Sequence, residues 1–212
     1  MSSSIAIASI LLALLIGAIS PGPSFVLVVR NAIGLSQRDG IATALGMGLG
    51  GALFSVVALA GFYSLLAAVS WLYATLKIIG GAYLIFLAIK IWRSADAPLT
   101  IDNLVCTPSK EIKNSFWIGV ATQLSNPKTA IVYGSIFASL LPQQPPLWCY
   151  VVIPPLVFMV ESGWYTVVAL CFSRKAPRNL YLRSKKTLDR LAAGIIAVLG
   201  VHLVFSIYGI KS

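Results

Sequence analysis

Lys128 and Glu161 are the two ionisable residues that lie deepest within apolar sequence. A charged side chain facing lipid at the centre of a bilayer costs about 2.5–3.5 kcal/mol on insertion scales, so both are expected to face inward. Charged groups in that position bind charged substrates or relay protons. A structural alternative stays open: the two side chains pair and join neighbouring segments, or Lys128 extends its ammonium to a nearer interface.

Two proline-containing stretches interrupt long apolar runs. The first is Ser20-Pro21-Gly22-Pro23-Ser24, and the second is Ser125-Asn126-Pro127-Lys128. Proline lacks a backbone donor and clashes with the preceding turn, so a helix must break at each stretch. Lipid cannot satisfy the freed N–H and C=O groups, and such a break survives only against protein or a wet cavity. Pro21 and Pro127 are 106 residues apart, half of the 212-residue chain. One broken span in each half is typical of a transporter binding site.

The two ends of a broken helix attract opposite charges. A half-helix beginning at Pro23 presents N–H groups and a positive dipole end that suit a carboxylate. The carbonyl groups that end the preceding half-helix suit an ammonium. A zwitterion fits such a site, although any single polar residue here is more often a helix-packing contact. The predicted substrate-binding residues are Ser20, Pro21, Gly22, Pro23, Ser24, Gln123, Asn126, Pro127, Lys128, Glu161 and Trp164.

Glu161 is also the predicted proton-coupling residue. Burial in apolar sequence disfavours the charged form of a carboxyl group. This side chain is therefore expected to hold a proton in one state and a substrate ammonium in the other. Trp164 lies one helical turn away and is predicted to line the same site.

The composition indicates an integral membrane protein. Hydrophobic residues make up 58% of the chain and charged residues 10%, against roughly 45–50% and 25% in soluble domains. Repeated apolar windows predict six spans of about 20 residues or more. They are expected at about 5–30, 41–66, 73–92, 116–141, 147–172 and 191–210.

The placement of basic residues predicts the orientation. Thirteen of the sixteen Lys and Arg residues lie in the segments after spans one, three and five, the last of which is a dense basic loop at 174–190. The positive-inside rule places these segments in the cytoplasm and both termini outside. The same charges suit anionic lipid headgroups, and their location between apolar runs argues against nucleic-acid binding.

The chain is expected to form a single integral domain over 1–212. Three spans on each side of a polar connection predict two inverted repeats, about 5–93 and 115–210, joined by a cytoplasmic segment at about 94–114. Gly46 and Gly50 form a GxxxG motif in span two, which indicates close helix packing; a hinge is the alternative.

Other features exclude several classes of protein. The three cysteines, Cys106, Cys149 and Cys171, indicate neither a disulfide framework nor a zinc site, and no cofactor or metal is expected. The N-terminus lacks the basic residues of a signal peptide and is interpreted as part of a retained first span.

Several motifs together resemble the lysine exporter and homoserine/threonine resistance superfamily of bacterial amino-acid exporters over nearly the full chain. They are Ser20-Pro21-Gly22-Pro23, the segments 40–46 and 76–84, Asn126-Pro127-Lys128, and Leu140-Leu141-Pro142-Gln143. The resemblance implies a six-helix inner-membrane exporter of amino acids or close derivatives, driven by the proton gradient. Glu161 falls where family members carry an acidic residue, whereas Ser24 stands where they commonly carry Asn or Asp.

Two other functions are weighed against transport. An intramembrane enzyme would use the buried carboxyl and amino groups for acid–base chemistry, but no nucleophile elbow, zinc-binding pair or diacid motif accompanies them. A non-transporting membrane subunit is the other alternative. The predicted partners are a small amino-acid substrate, protons and membrane lipid, and the sequence is compatible with a homo-oligomer.

Overall fold

The computed structural model describes residues 3–68, 70–97, 112–141 and 145–205, which form eight α-helices and no strand. In chain order the helices are α1 (Ser3–Ile19), α2 (Pro23–Gly34), α3 (Gln37–Ala68), α4 (Ser70–Ser94), α5 (Ile112–Leu124), α6 (Pro127–Leu140), α7 (Leu147–Phe172) and α8 (Lys175–Phe205). Most of the predicted connection at 94–114 lies outside the described residues, as do Cys106 and the Pro142-Gln143 end of a motif.

Both predicted helix breaks are present. The axes of α1 and α2 differ by 60° across residues 20–22. Pro23 occupies the first turn of α2, where its missing N–H costs nothing. At the second break, Pro127 likewise starts α6, and the side chain of Asn126 caps that helix by accepting from the backbone N–H of Lys128.

Among the described residues, two helices are individually long and apolar enough to cross a membrane. They are α3, over Gln37–Gly61, and α7, over Leu147–Phe172. The bent pair α1 and α2 adds a third crossing if it is taken as one span. Large apolar side chains such as Leu12, Val57 and Val151 are exposed on the outer faces, as expected of surfaces that meet lipid.

Helix α3 is the centre of the fold and presents glycines to two neighbours. A Cβ atom at Gly50 would lie 2.6 Å from Cβ of Gln123 on α5, and one at Gly46 would collide with the carbonyl of Phe116. A Cβ atom at Gly48 would likewise collide with the side chain of Ser162 on α7. Only glycine permits these approaches, so the predicted close packing at the GxxxG motif is confirmed.

The basic segment at 174–190 is a helix, and its prediction as a loop was wrong. It forms the first half of α8, which begins at Lys175. The physical reason is the interaction of this segment with the end of α4. The buried ammonium of Lys185 donates to the carbonyls of Ser94 and Ala95 and pairs with Asp189 at 2.8 Å. These contacts satisfy the carbonyls that end α4.

Candidate functional site

The two helix breaks meet at one buried cavity. Its volume is about 30 Å³, which is close to the share of one water molecule in the liquid. Both breaks and the middle of α7 contribute to the lining, which consists of Leu14, Gly17, Ala18, Ser20, Gly22, Ser24, Phe25, Gln123, Asn126, Lys128, Thr129, Val132, Tyr133, Glu161 and Tyr165.

The Lys128 side chain reaches from the second break to the first. Its Nζ donates to the carbonyl oxygens of Ser20 at 2.8 Å and Gly17 at 3.1 Å, at the C-terminal end of α1. The ammonium therefore neutralises the negative end of that helix. An ammonium has three donor hydrogens, and these two carbonyls use two of them. Gly22 leaves room for the passage of the side chain, because a Cβ there would lie 3.3 Å from Cδ of Lys128.

Lys128 and Glu161 do not form an ion pair. The three ion pairs among the described residues all join the end of α4 to α8 or lie within α8. Both residues nevertheless line the same cavity. Lys128 is thus a link between α1 and α6, and the charge of Glu161 is available for another partner.

Glu161 is a buried carboxylate with two protein donors. Its Oε1 accepts from the hydroxyl of Tyr133 at 2.7 Å, and its Oε2 accepts from Nε2 of Gln123 at 2.6 Å. Gly51 of α3 faces the carboxylate, where a Cβ would lie 2.5 Å from Oε2 and 2.7 Å from the Tyr133 hydroxyl. The glycine therefore makes the space that the carboxylate occupies.

A directed chain of hydrogen bonds connects Glu161 to both breaks. Gln123, which donates to Glu161, accepts through Oε1 from the Ser24 hydroxyl at 2.6 Å. Ser24 in turn accepts from Nδ2 of Asn126 at 2.9 Å. Because the Ser24 hydroxyl donates to Gln123, the amide of Gln123 can only present its donor to Glu161. Hydrogen bonds therefore connect the Glu161 carboxylate to both helix breaks.

Ser20 contributes an unsatisfied hydroxyl to the cavity. Its side chain is 1% exposed and its Oγ has no hydrogen-bond partner. Buried polar groups are nearly always hydrogen-bonded, and an exception calls for an explanation. Ser20 lies beside the Lys128 ammonium and just before the N-terminus of α2. The Ser20 hydroxyl, the Lys128 ammonium and the N-terminus of α2 therefore lie on the same side of the cavity, and all three attract an anion.

Seven of the eleven predicted substrate-binding residues line the cavity: Ser20, Gly22, Ser24, Gln123, Asn126, Lys128 and Glu161. Pro21, Pro23 and Pro127 do not line it and instead shape the breaks. Trp164 does not line it either. Its indole N–H donates to the carbonyl of Ala18 at 3.1 Å, which fixes the end of α1 against α7.

Three polar lining residues, Thr129, Tyr133 and Tyr165, were not predicted from the sequence. Tyr165 lies four residues after Glu161, so helical spacing places it on the same face. Tyr133 lies six residues after Pro127 and carries a buried hydroxyl. A search for polar side chains within two turns of each break would have found Thr129 and Tyr133.

Comparison with known proteins identifies the family of this chain. A sequence model described as "LysE type translocator" matches residues 15–207. The chain belongs to this family. Its relatives include the threonine efflux protein of Salmonella typhi, 30% identical over 91% of this chain and 94% of the relative. The threonine efflux protein of Escherichia coli K12 is 28% identical over the same shares.

A more distant relative is the homoserine/homoserine lactone efflux protein of Salmonella typhimurium, 26% identical over 87% of this chain and 89% of the relative. No solved structure matches the chain. The resemblance found from the motifs is confirmed, and this LysE type translocator is a membrane protein. Two motifs of the resemblance, Ser20-Pro21-Gly22-Pro23 and Asn126-Pro127-Lys128, are the two segments that meet at the cavity.

Proposed function

We propose that this LysE type translocator exports amino acids or close derivatives across the bacterial inner membrane, in exchange for protons. The relatives named as threonine and homoserine efflux proteins support the substrate class. The observation that carries the proposal is the buried Glu161 carboxylate at a cavity shared by both helix breaks. The site would bind the substrate as a zwitterion.

The substrate carboxylate binds near the first break. There it meets the unpartnered hydroxyl of Ser20, the remaining donor hydrogen of Lys128 and the N-terminus of α2. Each of these groups is a donor or a positive end, and the three converge on one side of the cavity. Because Lys128 is held by two carbonyls, its ammonium is already oriented before a substrate arrives.

The substrate ammonium binds at Glu161. A carboxylate has about four acceptor positions, and Tyr133 and Gln123 use two of them. The substrate ammonium and a proton would then compete for the same negative charge. Outward movement with the ammonium bound and return with the proton bound couples export to proton entry.

The described conformation is closed around the site. A cavity of about 30 Å³ holds water but not an amino acid. Transport therefore requires the elements around the cavity to separate on one side and then on the other. We place the movement between two inverted repeats, about 5–93 and 115–210, with six spans in one domain and both termini outside. Two observations support this: α3 packs on α7, and α4 packs on α8, which are the corresponding helices of the two halves.

Efflux from proteoliposomes tests the proposal. Liposomes are loaded with radiolabelled threonine or homoserine, and a pH gradient is imposed in either direction. We expect efflux to be faster when protons flow inward, against the substrate. Glu161→Gln is expected to reconstitute normally but to lose the response to the gradient, since it keeps the shape and removes the charge.

Ser162→Ala is the matched control. Ser162 is the next residue on α7, is buried, and has a hydroxyl with no hydrogen-bond partner. Its removal is expected to leave efflux unchanged. Efflux by Glu161→Gln at the original rate, with the original dependence on the gradient, would exclude Glu161 as the coupling group. Absence of efflux of every amino acid by the unmodified protein would refute the substrate class.

A further inference from the structure

An apolar groove of about 290 Å³ lies between α4 and α8, away from the central cavity. Its lining residues are Ala88, Ile89, Trp92, Arg93, Ala193, Gly194 and Ala197. Gly194 forms part of the floor, and a Cβ built there would meet no atom within 4 Å. Ile89 and Trp92 are about half exposed at the walls. The groove is thus open and mostly apolar, as a site for part of a hydrocarbon chain requires.

Basic residues surround one end of this groove. Lys186 and Arg190 both contact Asp96, at 2.6 Å and 3.2 Å. The hydrogen bond from Lys186 holds the pKa of Asp96 below its usual range, so this carboxylate stays negative. Arg93 lines the groove, is exposed and belongs to no ion pair among the described residues. Three cations, Arg93, Lys186 and Arg190, against the Asp96 carboxylate leave this end positive, and the nearby Lys185–Asp189 pair adds no net charge.

The position of Trp92 indicates the depth at which the charged end of the groove lies in the membrane. Trp92 is 51% exposed, and the guanidinium of Arg190 lies 5.3 Å from the centroid of its ring. Tryptophan at a helix end is typical of the level of the lipid headgroups. Gly81 packs on Gly200 farther along the two antiparallel helices, so the groove runs from the headgroup level into the hydrocarbon region.

We propose that this groove binds a phospholipid with an anionic headgroup. Arg93 and Arg190 contact the phosphate, and one acyl chain lies over Gly194. Basic sites between transmembrane helices are suited to such headgroups. The inference does not depend on what the protein transports.

A second copy of the chain is a less suitable occupant. The commonest homo-oligomers are dimers whose two copies are related by a two-fold axis, which brings the same surface of each copy together. The positive ends of two grooves would then face each other, and like charges across an interface are unfavourable. A lipid phosphate neutralises the same charges.

Native mass spectrometry of the purified full chain tests the proposal. The protein is exchanged into nanodiscs of phosphatidylethanolamine that contain a minor fraction of phosphatidylglycerol. It is then released in the mass spectrometer, where the mass of the protein with its retained lipid is measured. We expect one tightly retained phosphatidylglycerol per chain, and retention well above that of phosphatidylethanolamine. Gly194→Leu should abolish retention, because the Cβ atom meets no atom within 4 Å and the rest of the new side chain would occupy the groove. Arg93→Gln should weaken retention by about fivefold, as expected for one basic residue near an anionic lipid.

Two controls match these variants. Gly163→Leu adds the same side chain at another exposed helical glycine with nothing within 4 Å, and Arg174→Gln removes an exposed charge elsewhere. Both should retain the lipid as the unmodified protein does. Equal retention by Gly194→Leu and Gly163→Leu would overturn the proposal, as would equal retention of both lipids. A lipid-free dimer that Gly194→Leu converts to a monomer would show instead that a second copy covers the groove.

Discussion

Replacing Lys128 with methionine should destabilise the protein strongly. Methionine keeps much of the length of the side chain and removes the ammonium that joins the second break to the first. The carbonyl oxygens of Ser20 and Gly17, now at 2.8 Å and 3.1 Å from Nζ, would lose their donor inside the protein.

The magnitude follows from those two bonds. A buried group left without its hydrogen-bond partner costs about 1–3 kcal/mol, and the favourable charge at the end of α1 adds about 0.3–1 kcal/mol. The total is about 2–7 kcal/mol, a large part of the stability of an ordinary domain. For a chain of this size, each kcal/mol lowers the melting temperature by about 2–4 °C. We therefore expect a decrease of at least about 5 °C.

Thermal unfolding of the purified protein in detergent measures this effect. Lys113→Met is the control, because Lys113 is an exposed lysine in the first turn of α5, and its melting temperature should stay within about 2 °C of the unmodified protein. If Lys128→Met melted at the same temperature as Lys113→Met, the ammonium would not be the link between the two breaks.

Three further predictions concern the surroundings of the site and the orientation. Gly51→Ala should displace the Glu161 carboxylate, 2.5 Å from the new methyl group, and abolish efflux, whereas Gly163→Ala should transport normally; normal efflux by Gly51→Ala would contradict the site geometry. Asn126→Ala should lose the cap of α6 and about 0.5–2 kcal/mol of stability, while Asn114→Ala, at an exposed position, should melt unchanged. Single cysteines at positions 100 and 180 should react with an impermeant reagent only from the cytoplasm and one at 144 only from outside; the opposite pattern would reverse the orientation.

The helix breaks were predictable because they arise from local chemistry. Pro21, Pro23 and Pro127 each remove a backbone donor and disfavour a continuous helix, and a break between apolar segments requires a protein-lined or wet site. Proline alone does not decide the outcome, because Pro154 and Pro155 lie within the continuous helix α7. At the two breaks Gly22 and Asn126 occupy the N-cap positions in extended conformations. The glycines of α3 were likewise predictable as packing positions. Lys128 and Glu161 stood out because a charge in apolar sequence needs a partner.

What each charge binds depended on the tertiary arrangement. Sequence spacing left open whether Lys128 pairs with Glu161, and the structure gives Lys128 two carbonyls of α1 instead. Trp164 and Tyr165 both lie about one turn from Glu161, so only the rotation of α7 decides that Tyr165 lines the cavity. The helical form of the basic segment at 174–190 likewise depends on Lys185 meeting the end of α4, a contact across about 90 residues.

The most direct test of the proposed site is equilibrium binding of threonine and one isosteric analogue to the purified protein. The analogue is the corresponding 2-hydroxy acid, which has a hydroxyl group in place of the ammonium. We expect Glu161→Gln to weaken threonine binding by at least about a hundredfold, because a buried ammonium without its partner costs about 3–5 kcal/mol, and to leave binding of the 2-hydroxy acid unchanged or tighter. Equal weakening of both ligands by Glu161→Gln would contradict the assignment of Glu161 to the substrate ammonium.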